Sequence, residues 1–299
     1  MILPQKLKIG DTVGLVAPCS HQARKNQHLV AEAISVLERW GLQVKLQPGH
    51  DQQHFYLAGT DQHRSKRFQD FYTDPNIKAL FITRGGYGAS RMLRYLDRPA
   101  IAAHQKIVVG SSDATSLLLY LQKFCQVVVY HGPGLATSQF LQSLQKEQTQ
   151  ESLRALLFSE QYPSFPVQIL CEGHAKGLLT GGCLSLVVAS LGTFYEIETE
   201  DRILFLEDVD EAPYRIDRML AHLQNAGKFG RLKGLVFGEM TRCGEQTDLL
   251  RILEDIFHDA DFPIVYGVPS GHGETCMTLS LGAEVEIETN SKIFRFLSP

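Results

Sequence analysis

Apolar positions in the first half of the chain follow two alternating rhythms. TVGLVA (12–17) is a short, nearly continuous apolar run of strand length, whereas Leu29, Val30, Ala33, Ile34, Leu37 and Trp40 then recur at intervals of three and four, the spacing of a helix with one buried face. LQVKL (42–46), KALFIT (78–83), KIVVG (106–110) and VVVY (127–130) repeat the strand signal. Between them lie a polar helix carrying Phe68 and Phe71, a helix through Met92, Leu93 and Leu96, and a helix opening at SSDATSLLLYL (111–121). Strands buried on both faces and alternating with helices predict a parallel sheet covered by helices on each side.

The predicted class is therefore α/β, with an N-terminal domain of Rossmann- or flavodoxin-like type. Residues 138–168 are rich in Gln, Ser and Glu, and the apolar rhythm pauses there until PVQIL (166–170). A division follows: an N-terminal domain over 1–150, a connector over 151–168 and a C-terminal domain over 169–299. In the last of these, KGLLTGG (176–182), RILFLED (202–208), LKGLVFGEM (232–240) and PIVYG (263–267) read as strands. Helices are predicted through 184–191, 214–225 and 248–257, and TLSL, AEVEIE and IFRF close the chain as a small β appendage.

Composition changes this picture by exclusion. With 299 residues, 44% hydrophobic and 21% charged, the chain is of ordinary globular make-up and long enough for two domains. A net charge of -4 lacks the basic excess with which a protein neutralises phosphates, so nucleic acid is not an expected partner. No apolar run is long enough for a bilayer and no signal peptide is evident, so a cytoplasmic protein away from membranes is expected. The six cysteines contain no CxxC pair, which fits free thiols in a reducing compartment.

Chemistry is sought where strands end, because ligands of open parallel sheets lie beyond the strands' carboxyl ends. Four such corners bear reactive groups: Arg84-Gly85-Gly86-Tyr87-Gly88, Gly110-Ser111-Ser112-Asp113, Glu207-Asp208 and Gly271-His272-Gly273. Together they offer a hydroxyl, a carboxylate and an imidazole, the groups of nucleophilic acyl transfer. Ser112, between a strand end and a helix start, would place a developing oxyanion near free N–H groups, with Gly86 and Asp113 as donors. Plainer readings stay open at this point. Ser112 can be a helix N-cap, Glu207 a partner of Arg215 or Arg218, His272 a turn residue, Gly86 part of a tight turn and Arg84 half of a surface ion pair.

RGGYGASR departs from the dinucleotide fingerprint, GSSDATS lacks a P-loop lysine, and the histidines show no H-E-x-x-H spacing. No cofactor and no metal are therefore expected. The remaining histidines, His131 among them, read for the most part as solvated surface groups.

Taken together, GDTVGLVAPCS, FYLAGTDQHRSKRF, FITRGGYGASRML, VGSSDATSLL, YHGP, GLLTGGCLSLVVASLGT, ILFLEDVDEAPYRIDRML and VYGVPSGHGETCMTLSLGAEVEI resemble the LD-carboxypeptidase family, serine peptidases that include the muramoyltetrapeptide carboxypeptidases of cell-wall recycling. The resemblance implies a Ser-His-Glu triad of Ser112 as nucleophile, His272 as base and Glu207 as its orienting acid. Backbone N–H groups of Gly86 and Asp113 would form the oxyanion corner. It also implies a homodimer and a murein tetrapeptide substrate cleaved between an L-centre diamino acid and terminal D-alanine; immunity peptidases of the same family act instead on aminoacyl-nucleotide conjugates. A non-catalytic peptide- or sugar-binding module is the alternative outside the family. Arg84 is a candidate for the terminal carboxylate. Cys19 and Cys183 depart from the family's usual Ser and Asn.

Overall fold

Nearly continuous burial along the central strands, with successive side chains on opposite faces, explains the architecture. The computed structural model describes residues 1–159 and 161–297. Strands β1 (Thr12–Val16), β2 (Gln43–Leu46), β3 (Ile77–Ile82), β4 (Ile107–Gly110) and β5 (Val129–His131) are joined in parallel in the order β5-β4-β3-β1-β2. Val13, Leu15, Ala79, Phe81, Ile107 and Val109 point to one face, against Leu29, Ala33 and Leu37 of the helix His28–Arg39. Their neighbours Val16, Leu80, Ile82 and Val108 point to the other, against Phe68 and Tyr72 of the helix Asp61–Thr73 and Leu117, Leu118 and Leu121 of the helix Thr115–Cys125. Each fully buried aliphatic side chain contributes about 1.5–3 kcal/mol, so both layers are held firmly.

The second sheet adds β6 (Ser164–Pro166), β7 (Gln168–Cys171), β8 (His174–Cys183), β9 (Arg202–Val209), β10 (Gly234–Thr241) and β11 (Ile264–Tyr266). Strands β8 to β11 run parallel in the order β8-β9-β10-β11, with β7 antiparallel beside β11. The predicted appendage is divided: β12 (Leu279–Leu281) pairs antiparallel with β5 of the first sheet, while β13 (Glu284–Glu288) and β14 (Ile293–Phe296) extend the second. Ile203, Phe205 and Val236 share a core with the first sheet's helix-covered face, whereas Leu204, Leu206, Leu235 and Phe237 pack on Ile216, Leu220 and Leu223 of the helix Pro213–Asn225. The molecule thus consists of two α/β domains whose shared core fixes the junction between them.

The predicted helix through Met92 and Leu96 is broken. A short helix, Ala89–Met92, is followed by a 3-10 turn and then by Arg98–Ala102, because Asp97 accepts the Ala100 N–H as an N-cap and Pro99 occupies the first turn. Among the described residues no helix is long and apolar enough to cross a membrane.

Candidate active site

The end of β4 turns sharply at Ser112, whose φ of 58° lies in the left-handed region. For a serine this conformation costs on the order of 1–2 kcal/mol. Neither serine acts as a helix cap: Ser111 holds the cap position of the 3-10 turn Ser112–Ala114, but its side chain makes no capping bond. The Ser112 hydroxyl has no hydrogen-bond partner among the described residues. It faces the Gly-rich corner instead, where a Cβ on Gly85 would sit 2.7 Å from Ser112 Cβ and 2.9 Å from its Oγ. Only glycine lets the two corners approach so closely.

That corner is fixed by its neighbours. The Tyr87 N–H donates to Ser20 Oγ at 3.0 Å, and the buried Arg64 guanidinium donates to the carbonyls of Pro18 and, at 2.7 Å, Gly88. The Gly86 N–H has no acceptor within the protein among the described residues. Asp113 is buried, and its Oδ2 accepts the Ala89 N–H at 2.7 Å, tying the Ser112 corner to the Gly-rich corner. Burial pushes its carboxyl up, opposed by the N–H groups of Ala89 and Gly88 and by the Cys19 thiol. Arg84 donates to the His21 carbonyl at 3.2 Å and forms no ion pair among the described residues. A half-buried guanidinium without a carboxylate is therefore available beside Gly86.

Across the junction, the Cys183 N–H at the end of β8 donates to Thr115 Oγ1 at 3.2 Å, and Cys183 is in register with Glu207 on β9. Through these contacts the Ser112 corner adjoins Glu207. Glu207 is fully buried, and its Oε2 accepts from His272 Nδ1 at 2.6 Å; Arg215 pairs with Glu211 instead. Burial pushes the Glu207 carboxyl up, with His272 opposing. For His272, burial pushes downward, but the Glu207 carboxylate outweighs it and holds the imidazole above its ordinary range. Gly271 makes the pair possible: its φ of 137° suits glycine, and a Cβ there would lie 2.7 Å from Glu207 Oε2. The first domain steadies this loop, since Gln139 Nε2 donates to the carbonyls of Gly271 (2.8 Å) and Gly273 (2.6 Å).

Sequence reasoning missed several contributors. His131, read as a surface group, is fully buried at the end of β5, with its Nε2 3.9 Å from Glu207 Oε1. Burial, then His272, depresses it to about 3, so it is neutral. A strand-end position after VVVY is the signal that could have found it. Gln139 and Arg64 carried none, because their partners are distant backbone carbonyls. Cys183 gives its thiol to Asp208 Oδ1 at 3.4 Å, and Asp208 also accepts the Ser185 N–H at 2.7 Å. Among the described residues no group of His, Cys, Asp and Glu is arranged to hold a metal ion.

The signature of the LD-carboxypeptidase N-terminal domain matches residues 13–132, and that of the LD-carboxypeptidase C-terminal domain matches residues 176–287. A probable murein peptide carboxypeptidase of Bacillus subtilis is 35% identical over 97% of this chain and 92% of its own length. Among solved structures, a muramoyltetrapeptide carboxypeptidase from Oxalobacter formigenes superposes with a TM-score of 0.84 at 27% identity, covering 95% of this chain and 97% of that one. The microcin C7 self-immunity protein MccF, known from Escherichia coli, superposes at 0.92 with 21% identity, covering 100% of this chain and 99% of its own.

These comparisons correct one expectation. The solved active-site mutant of MccF replaces a serine, an asparagine and a lysine by alanine, which points, in that protein, to a serine centre with asparagine and lysine and away from a Ser-His-Glu triad. In this chain the His272–Glu207 link is made, and among the described residues no hydrogen bond joins either of them to the Ser112 hydroxyl. The triad expected for Ser112, His272 and Glu207 is accordingly withdrawn. Serine-peptidase character and family membership do not depend on it, and with identity of this order along nearly its whole length, the chain belongs to the LD-carboxypeptidase family.

Proposed function

We propose that this protein is a serine-type hydrolase of small acyl conjugates in which Ser112 is the nucleophile. The observation that carries the reading is the left-handed Ser112, its hydroxyl free of internal partners and set against Gly85. In the proposed step, Oγ attacks the substrate carbonyl carbon and the C–N bond breaks. The serine gives up its proton, the departing nitrogen gains one, and water then hydrolyses the ester. The N–H groups of Gly86 and Asp113 are the proposed oxyanion donors, and Arg84 the partner of an anionic group on the leaving half. Glu207 and His272 belong to the proposed site as an imidazole–carboxylate pair on the opposite wall.

Two substrates are carried by specific observations. An aminoacyl-nucleotide conjugate is supported by whole-chain likeness to MccF, which has been solved with aspartyl sulfamoyl adenosine. A murein tetrapeptide ending in D-alanine is supported by the relatives from Bacillus subtilis and Oxalobacter formigenes. Mass spectrometry of both compounds incubated with the protein decides between them: release of aspartate selects the first, and release of D-alanine the second. The cysteines form no disulfide among the described residues, which supports a cytoplasmic setting, and the homodimer implied by the family is part of the same proposal.

A further inference from the structure

Strand β10 carries Glu239 close to the His272 loop. A Cβ on Gly273 would lie 3.0 Å from Glu239 Cδ and 3.2 Å from its Oε2. The carboxylate is half-buried and has no hydrogen bond or ion pair among the described residues. Burial alone acts on it, pushing its carboxyl up. Arg242, two residues beyond the strand's Met240, is occupied by Asp210 at 2.6 and 2.8 Å and supplies no counter-charge.

Glu239 lines a cavity of about 300 Å³ whose other walls include Ile216, Phe237, Leu249, Leu253 and Tyr266. Such walls suit an aliphatic stem, while the carboxylate suits a cation at its end. A half-buried carboxylate without an internal partner is stabilised by an arriving ammonium.

We propose that Glu239 and this cavity form a subsite for an alkylammonium group on the acyl half of the substrate. The inference rests on the reading of the neighbouring site as one that binds acyl conjugates, and it assigns Glu239 to recognition, with no part in bond cleavage. A diamino acid, with a methylene chain ending in an amine, has the required chemistry.

The test is calorimetric binding to the full chain carrying Ser112→Ala, with L-lysyl-D-alanine and its Nε-acetyl derivative as probes. The free amine should bind roughly tenfold tighter, and Glu239→Gln in the same background should abolish that preference. Unchanged thermal unfolding of the Glu239→Gln protein verifies that it is folded. Equal binding of the two probes, survival of the preference in Glu239→Gln, or no binding of either probe at millimolar concentration would each overturn the proposal. The assay reads binding alone, so a protein that prefers the free amine yet hydrolyses no conjugate keeps the subsite and loses the hydrolase reading.

Discussion

Position 112 combines backbone strain with an unpartnered hydroxyl, and the two have separable consequences. Because the Ser112 hydroxyl makes no hydrogen bond among the described residues, Ser112→Ala should alter stability by no more than about 0.5 kcal/mol in denaturant unfolding. Turnover of a cleaved conjugate should nevertheless fall by at least about 10³-fold. His131 is the reverse case, a group of consequence for stability. Its pKa is depressed to about 3 in the folded protein and is near 6.5 unfolded, so the unfolded chain binds the extra proton. Stability should therefore be intact above pH 6.5 and fall by roughly 1 kcal/mol per pH unit between 6.5 and 3. Unfolding of His131→Phe measured over that window should show a shallower acid loss; an unchanged slope would mean that His131 is not the buried titrating group. Gly271→Ala should cost about 1–3 kcal/mol, since both the φ and the approach to Glu207 are denied to alanine.

At the scale of elements, the site depends on side chains that bind backbone carbonyls of loops. Arg64 reaches from its helix to Pro18, Gly59 and Gly88 and pairs with Asp61, so Arg64→Met should destabilise the fold by about 3–5 kcal/mol and disorder the Gly-rich corner. Gln139→Ala should leave stability within about 1 kcal/mol but loosen the 271–273 loop, which faster amide exchange at Gly273 would report. These contacts also mark the limit of sequence reading. Strands β1, β3 and β4 are legible because runs buried on both faces have an unmistakable composition, and the corners at Ser112 and His272 are legible because chemistry clusters at strand ends. Apart from Gly59, the carbonyls that Arg64 and Gln139 bind lie 24 to 134 residues away, which no local pattern encodes. The division of TLSL from AEVEIE likewise depends on which sheet edge is free, and that is settled by the packing of the whole chain.

For the whole molecule, the two sheets share one apolar core, so the Ser112 corner and the Glu207–His272 pair are fixed on opposite sides of a common junction. A conjugate bound there would present its carbonyl to Ser112 and, under the subsite inference, its amine toward Glu239. The family relation accounts for the frame, while the withdrawn triad shows that residue roles have to be established in this chain itself. The most direct measurement is mass spectrometry of the murein tetrapeptide and of aspartyl sulfamoyl adenosine, each incubated with the wild-type chain and with Ser112→Ala. The account predicts release of D-alanine or of aspartate by the wild type and none by the variant. Equal release by both proteins would contradict attack by Ser112.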